Sequence, residues 1–242
     1  MKKLIIASVC SLAVVGAAFG QGAVNWGSIS FANFTAQTNT VTYSSFTGGG
    51  STAGGATGVA AVGATQGAAS LGSGYFYALL VGAVWNGSAA TVPSTSFAQF
   101  SSWTDSGLAA SNNVFSAGRV GVENPNTAAT VNAMSSSVSN SIVLVGWSAN
   151  LGSTWSTALG NMEAGTWSGN AFFGVSNEGF IEAATLPASQ GNSVFGSAAQ
   201  TYGTPIQSLN TQLFLLSPVP EPGTIALAAL GGASLLLFRR KK

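Results

Sequence analysis

Between residues 21 and 217 the apolar positions fall in short runs, broken about every ten residues by Gly, Asn, Ser or Pro, which is the spacing of an antiparallel β protein. Residues 23–34 (AVNWGSISFANF) set Val24, Trp26, Ile29 and Phe31 near period two and predict an opening strand with a bulge at Gly27. Residues 40–46 (TVTYSSF) predict a second strand, with Val41 and Tyr43 on one face. Residues 75–85 (YFYALLVGAVW) are continuously apolar, as a central strand is, and stop at Asn86-Gly87. That dipeptide accepts positive φ at both positions and predicts a hairpin with a partner at 90–92.

Further on, Phe97, Phe100 and Trp103 recur every three residues, which suits a helical turn or an irregular loop better than a strand. Residues 114–122 (VFSAGRVGV) predict a strand closed by Asn124-Pro125-Asn126, and 142–147 (IVLVGW) a core strand. Leu151, Trp155, Leu159 and Met162 share one helical face and predict a single short helix laid on a sheet edge or face. Short strands at 171–175 and 180–184 flank Asn177-Glu178-Gly179, and 207–216 closes the body with Leu209, Leu213 and Leu215 on one face. The fold class is therefore all-β: a single β-sandwich, with a jelly roll as one form of it, and one short helix. A parallel α/β fold would need helices between the strands, and the pattern lacks them.

One stretch breaks the pattern. Residues 48–74 are almost wholly Gly, Ala, Ser and Thr, which cost backbone entropy to order and bury little in return, so a flexible loop is expected. A phosphate-cradling loop would require a nearby Lys or Arg, and none is there.

The two ends differ from the middle because their apolar runs are uninterrupted and carry basic flanks. Met1-Lys2-Lys3, an apolar run over 4–17 and the small residues Ala18 and Gly20 form a secretory signal peptide over 1–20, cleaved after Gly20 or Ala18. Cys10 lies inside the apolar run after Val9, not at its small-residue end, so it is an internal residue of the leader rather than a lipidation site. At the other end, within residues 218–242, Val219-Pro220-Glu221-Pro222-Gly223 precedes an apolar helix over 224–238 and the cluster Arg239, Arg240, Lys241 and Lys242. The two prolines fix φ and lack an N–H, which holds Glu221 in an extended, accessible segment. Fifteen residues of helix rise about 22 Å, short of a hydrocarbon core of about 30 Å, and the basic cluster can snorkel and stay on the cytoplasmic side.

This order of Pro-Glu-Pro, short apolar helix and basic terminus resembles the PEP-CTERM sorting signal of Gram-negative bacteria. Gly223 stands where many members have Ser, a small-for-small change. The resemblance implies export across the inner membrane, transient anchoring, and handling by exosortase, a membrane-embedded cysteine protease-like enzyme, near Val219, Pro220, Glu221 and Pro222. It also implies a final place at the cell surface or outside the cell, in the matrix. The body, residues 21–217, is similar in its layout to uncharacterised exported sandwich proteins that carry the same tail, which implies no activity.

Charge and side-chain inventory narrow what that body can do. Between its ends the chain has one arginine, Arg119, against Asp105, Glu123, Glu163, Glu178 and Glu182, a formal charge of −4. One cation cannot displace many counterions, so nucleic acid is excluded as a partner. Histidine is absent from the chain, and the body lacks cysteine and lysine, which removes Ser-His-Asp and Cys-His nucleophiles, His-bound zinc and Schiff-base chemistry. No catalytic residue, cofactor or metal is therefore assigned. A pair of carboxylates suffices for glycoside hydrolysis, and Glu178 and Glu182 are the best such pair, though their Gly and Asn neighbours favour a solvated turn. Asp105, Glu123, Asn124 and Asn126 are conceivable calcium ligands without the spacing of a calcium loop. Trp103, Trp155 and Trp167 are the candidates for stacking on a polysaccharide, since Trp26, Trp85 and Trp147 sit in strand-like runs and read as core. The expected protein is a non-enzymatic surface or matrix component, with a carbohydrate-binding module as the alternative.

Overall fold

The computed structural model describes residues 21–26, 35–42, 63–64, 74–87, 96–112, 120–121, 128–185, 191–196, 199–207 and 210–216. The leader, the bulge expected at Gly27, the hairpin partner at 90–92, Arg119, Glu123, Asn124, Asn126 and the tail lie outside those residues.

The described strands are β1 (Gln21–Asn25), β2 (Thr35–Thr42), β3 (Gly63–Ala64), β4 (Tyr75–Val84), β5 (Thr104–Asn112), β6 (Val120–Gly121) and β7 (Ala128–Ser135). After them come β8 (Ser139–Ser148), β9 (Phe172–Val175), β10 (Gly179–Glu182), β11 (Ala184–Thr185), β12 (Asn192–Ser193), β13 (Gly203–Thr204) and β14 (Asn210–Leu215). A helix, α1 (Trp155–Ala164), lies between β8 and β9, and a 3-10 helix spans Phe97–Ser102. The strands form a large sheet in the order β3-β2-β14-β9-β8-β4-β5-β6 and a small one around β1. In the small sheet β7 pairs one side of β1 and β11 and β12 share the other.

β8 explains the layering. All but its first residue are buried, and its alternate side chains enter two different cores. Ile142 and Leu144 join Val24, Tyr77, Leu79, Met134, Ile181 and Leu213 between the two sheets. Val143, Val145 and Trp147 join Phe97, Phe100, Trp103, Trp155, Met162, Phe173 and Phe214 under the helical layer. The large sheet is thus covered on both faces, so its central strands read as unbroken apolar runs instead of alternating ones. Each fully buried aliphatic side chain contributes about 1.5–3 kcal/mol.

The helix sits on this outer face because its ends are pinned. Thr154 caps it, its Oγ1 accepting from the N–H of Thr157 at 3.3 Å. Gly165 stops it in the left-handed region at φ 68°, where the N–H of Thr166 returns to Asn161 O at 2.9 Å. Trp147 Nε1 donates to Gly152 O at 2.8 Å and Asn161 Nδ2 to Leu151 O at 2.9 Å, so the turn before the helix is tied to β8 and to α1.

Several strand expectations meet their elements: 75–85 is β4, 142–147 lies within β8, 171–175 contains β9 and 207–216 contains β14, with Leu209 outside the described residues. The segment at 180–184 is divided, because after β10 the chain passes through Ala183 to β11 in the small sheet. The second strand begins at Thr35, not at 40, since it runs parallel to β14 from Thr35↔Asn210 onward and backbone pairing carries its polar half. Within the Gly-rich tract, Gly63–Ala64 pairs with β2. β5 and β7 were not foreseen from the pattern; they present Ser106, Ala110, Val131 and Met134 inward, too sparse an apolar set to stand out. β5, reached through the 3-10 helix, is the next described antiparallel neighbour of β4 after the Asn86-Gly87 turn.

Candidate functional site

The tail leaves the body from an interior strand. β14 is held between β2, parallel to it, and β9, antiparallel to it. Leu213 is buried in the core between the sheets, and Phe214 and Leu216 in the core under the helices. The N–H of Leu216 donates to Ala171 O at 2.8 Å. Three residues then separate Leu216 from Pro220, a reach of at most about 14 Å. The chain between the last described core residue and the Pro-Glu-Pro element is therefore short.

Glu178 and Glu182 do not lie on one strand. Only Glu182 lies in β10, which starts at Gly179; Glu178 belongs to the segment before it, so the rule placing i and i+4 on one strand face does not apply. The backbone of Glu182 is engaged on both sides, its N–H donating to Tyr202 O at 2.9 Å and its carbonyl accepting from Asn192 Nδ2 at 2.5 Å. The Oδ1 of Asp105 caps its own strand, accepting from the N–H of Gly107 at 2.9 Å. Among the described residues no three of His, Cys, Asp and Glu come together.

Of the three tryptophans named as candidates for stacking on sugar, Trp103 and Trp155 have their rings in the interior. Trp103 and Trp155 are buried in the outer core, Trp103 against Gly82 and Trp155 against Phe100, Trp147 and Phe173. Trp167 is partly buried against the same core, and its Nε1 is enclosed. These rings hold the helical layer to the sheet. Trp26 and Trp147 are core as expected; Trp26 packs on Phe195 at 5.7 Å and its Nε1 donates to Ala109 O at 3.2 Å, crossing from the small sheet to β5.

Trp85 departs from its expected place, and the cause is a bulge. Along β4, Tyr77, Leu79 and Val81 point between the sheets, and strict alternation would send residue 85 the same way. Val81 pairs with Ile142 and Val84 with Asn140, so β4 spends three steps against two on β8. The extra residue reverses the faces beyond it and re-aims Trp85 outward. Asn140 Nδ2 donates to Gly82 O at 3.3 Å inside the bulge, and the N–H of Trp85 reaches Ser139 O at 2.8 Å. The indole then lies flat on Phe180, with ring centroids 3.9 Å apart and planes within 1°. Both rings are only partly buried. The sequence signal was the Gly82-Ala83 pair inside an apolar run, where a glycine marks a bulge.

Among the described residues no helix is long and apolar enough to cross a membrane; the apolar run at 224–238 is not among them. A family model described as the PEP-CTERM protein-sorting motif matches residues 218–241. The C-terminus is therefore a PEP-CTERM sorting signal, and with it come export, sorting at the membrane and handling by exosortase. No curated protein and no solved structure matches the chain, and no comparison supports a likeness of the body to exported sandwich proteins.

Proposed function

We propose that this chain, which ends in a PEP-CTERM sorting signal, is a non-enzymatic exported protein whose sandwich is delivered to the cell surface or extracellular matrix. The observation that carries the reading is the ordered tail: Pro-Glu-Pro, a short apolar run and four basic residues, inside the matched segment 218–241 and the residue after it. In this reading the signal peptide over 1–20 takes the chain across the inner membrane. Residues 224–238 hold it there, Arg239 to Lys242 keep the terminus cytoplasmic, and exosortase acts near Val219 to Pro222. The side-chain inventory supports a body without enzymatic activity, since acid-base and nucleophilic chemistry would have to rest on five carboxylates and no histidine, cysteine or lysine.

Intact-mass analysis of the protein recovered from membrane and extracellular fractions, in cells with and without exosortase, tests it. A species starting near Gln21 and ending near Pro220, released only where exosortase is present, is the expected result. Survival of Lys242 in every fraction, unchanged by loss of exosortase, would reduce the tail to a plain anchor and overturn the reading.

A further inference from the structure

We propose that the outward-facing Trp85–Phe180 stack, with Tyr202 and Glu182 beside it, is a binding surface for a neutral polysaccharide at the end of the sandwich far from the C-terminal end of β14. The four residues converge through the strand register. Phe180 and Glu182 share one face of β10, opposite to Ile181, which is buried between the sheets. Phe180 pairs with Ser141 on β8 and with Thr204 on β13, and Tyr202 is bonded through its carbonyl to Glu182. At 52% exposure Tyr202 is the most open aromatic side chain among the described residues.

Chemistry selects the occupant. Pyranose rings carry C–H faces that pack on aromatic planes and hydroxyls that bond to carboxylate and hydroxyl groups, which this surface offers as Trp85, Tyr202, Glu182 and Thr204. The body's single arginine against five carboxylates disfavours an anionic glycan. Position favours a partner outside the cell. Tyr75 pairs with Ser148 at one end of β8, close to the exit of β14, whereas Val84 pairs with Asn140 at the other. Nine residues of strand set the two ends about 30 Å apart. A body tethered by its tail thus carries the aromatic surface away from the membrane. Only this outward placement rests on the sorting reading; binding in solution does not.

The test uses the full-length chain in nonionic detergent, with affinity electrophoresis through gels containing laminarin or dextran as neutral probes and alginate as the anionic control. Retardation is expected in a neutral gel and not in alginate. Trp85→Ala and, independently of any folding defect, the exposed-site variant Tyr202→Ala should each weaken binding about tenfold, and Trp85→Phe should restore part of it. Trp103→Phe, in the buried layer, should bind as the parent does. Absence of retardation in both neutral gels, retardation in alginate alone, or retardation unchanged in Tyr202→Ala and Trp85→Ala would overturn the proposal. So would self-association that Tyr202→Ala abolishes while no glycan is held, because the surface would then serve a second copy of the chain.

Discussion

Replacing Phe173 by alanine tests whether the outer core, and not the space between the sheets alone, holds the fold. Phe173 is fully buried on β9, with ring centroids 5.6 Å from Phe97, 5.6 Å from Phe100 and 6.2 Å from Trp155. Its neighbours cannot close over a void. Phe97 and Phe100 sit in a 3-10 helix, Trp155 opens a helix capped at both ends, and β9 lies between β8 and β14. Truncating a core Phe costs about 3–5 kcal/mol, and a site that collapses poorly falls near the upper end. That is a third or more of the stability of a domain with about 5–15 kcal/mol in total. With a urea slope of about 2 kcal/mol/M for a chain of this size, the midpoint should fall by about 2 M. Equilibrium urea unfolding of the full-length chain in nonionic detergent, followed by tryptophan fluorescence, reads this directly, because Trp147 and Trp155 lie in the same layer. A fall of less than about 0.5 M at unchanged slope would refute the idea that the helical layer is a second core.

Three further outcomes follow from local geometry. Gly146→Ala would place its Cβ 2.7 Å from the Tyr77 ring and 3.0 Å from Leu213, both fully buried, so it should destabilise by about 1–3 kcal/mol in the same assay. Thr154→Ala removes the cap on α1 and should cost about 1 kcal/mol, with Thr154→Ser recovering most of it. Burial raises the phenol of Tyr75 above its ordinary value of 10.0. The folded state then holds this proton more tightly than the unfolded one, so its contribution is intact below that pH and lost as pH rises through the folded value. Urea midpoints measured at about pH 9 and about pH 11 should show a smaller alkaline loss in Tyr75→Phe than in the parent.

The elements legible in the sequence were those whose own side chains pay for their order. β4 and β8 are buried on both faces and read as apolar runs, and α1 showed its face through Trp155, Leu159 and Met162, whereas Leu151 of the same pattern lies in the short 3-10 turn before it. β2, β5 and β7 were less legible because their stability is borrowed from neighbours: β2 is mostly Thr, Asn and Gln, β5 places Ser106 and Ala110 against the core, and β7 buries only Val131 and Met134. Non-local pairing leaves little trace in a local pattern. The same limit applies to Trp103, Trp155 and Trp85. Trp103, Trp155 and Trp167 lay outside apparent strands and so looked available, but the helical layer they build has its own core. Trp85 lay in an apparent core strand, and one inserted residue turned it to the surface. The sorting tail was legible because its meaning resides in linear order, which needs no folding partner.

The tail and the body meet at β14, and this joint determines what processing can leave behind. The last buried side chain among the described residues, Leu216, is followed by a single residue before the matched segment begins at 218. A strand at a sheet edge could be drawn out by its terminus with the loss of one ladder, whereas β14 carries ladders to β2 and β9 and side chains in both cores. Removing it would open both cores at once. A pull on the C-terminal end of β14 therefore meets two ladders and two cores together. A cut anywhere from Val219 to Pro222 would leave every described core residue, Leu213, Phe214 and Leu216 included, with the body.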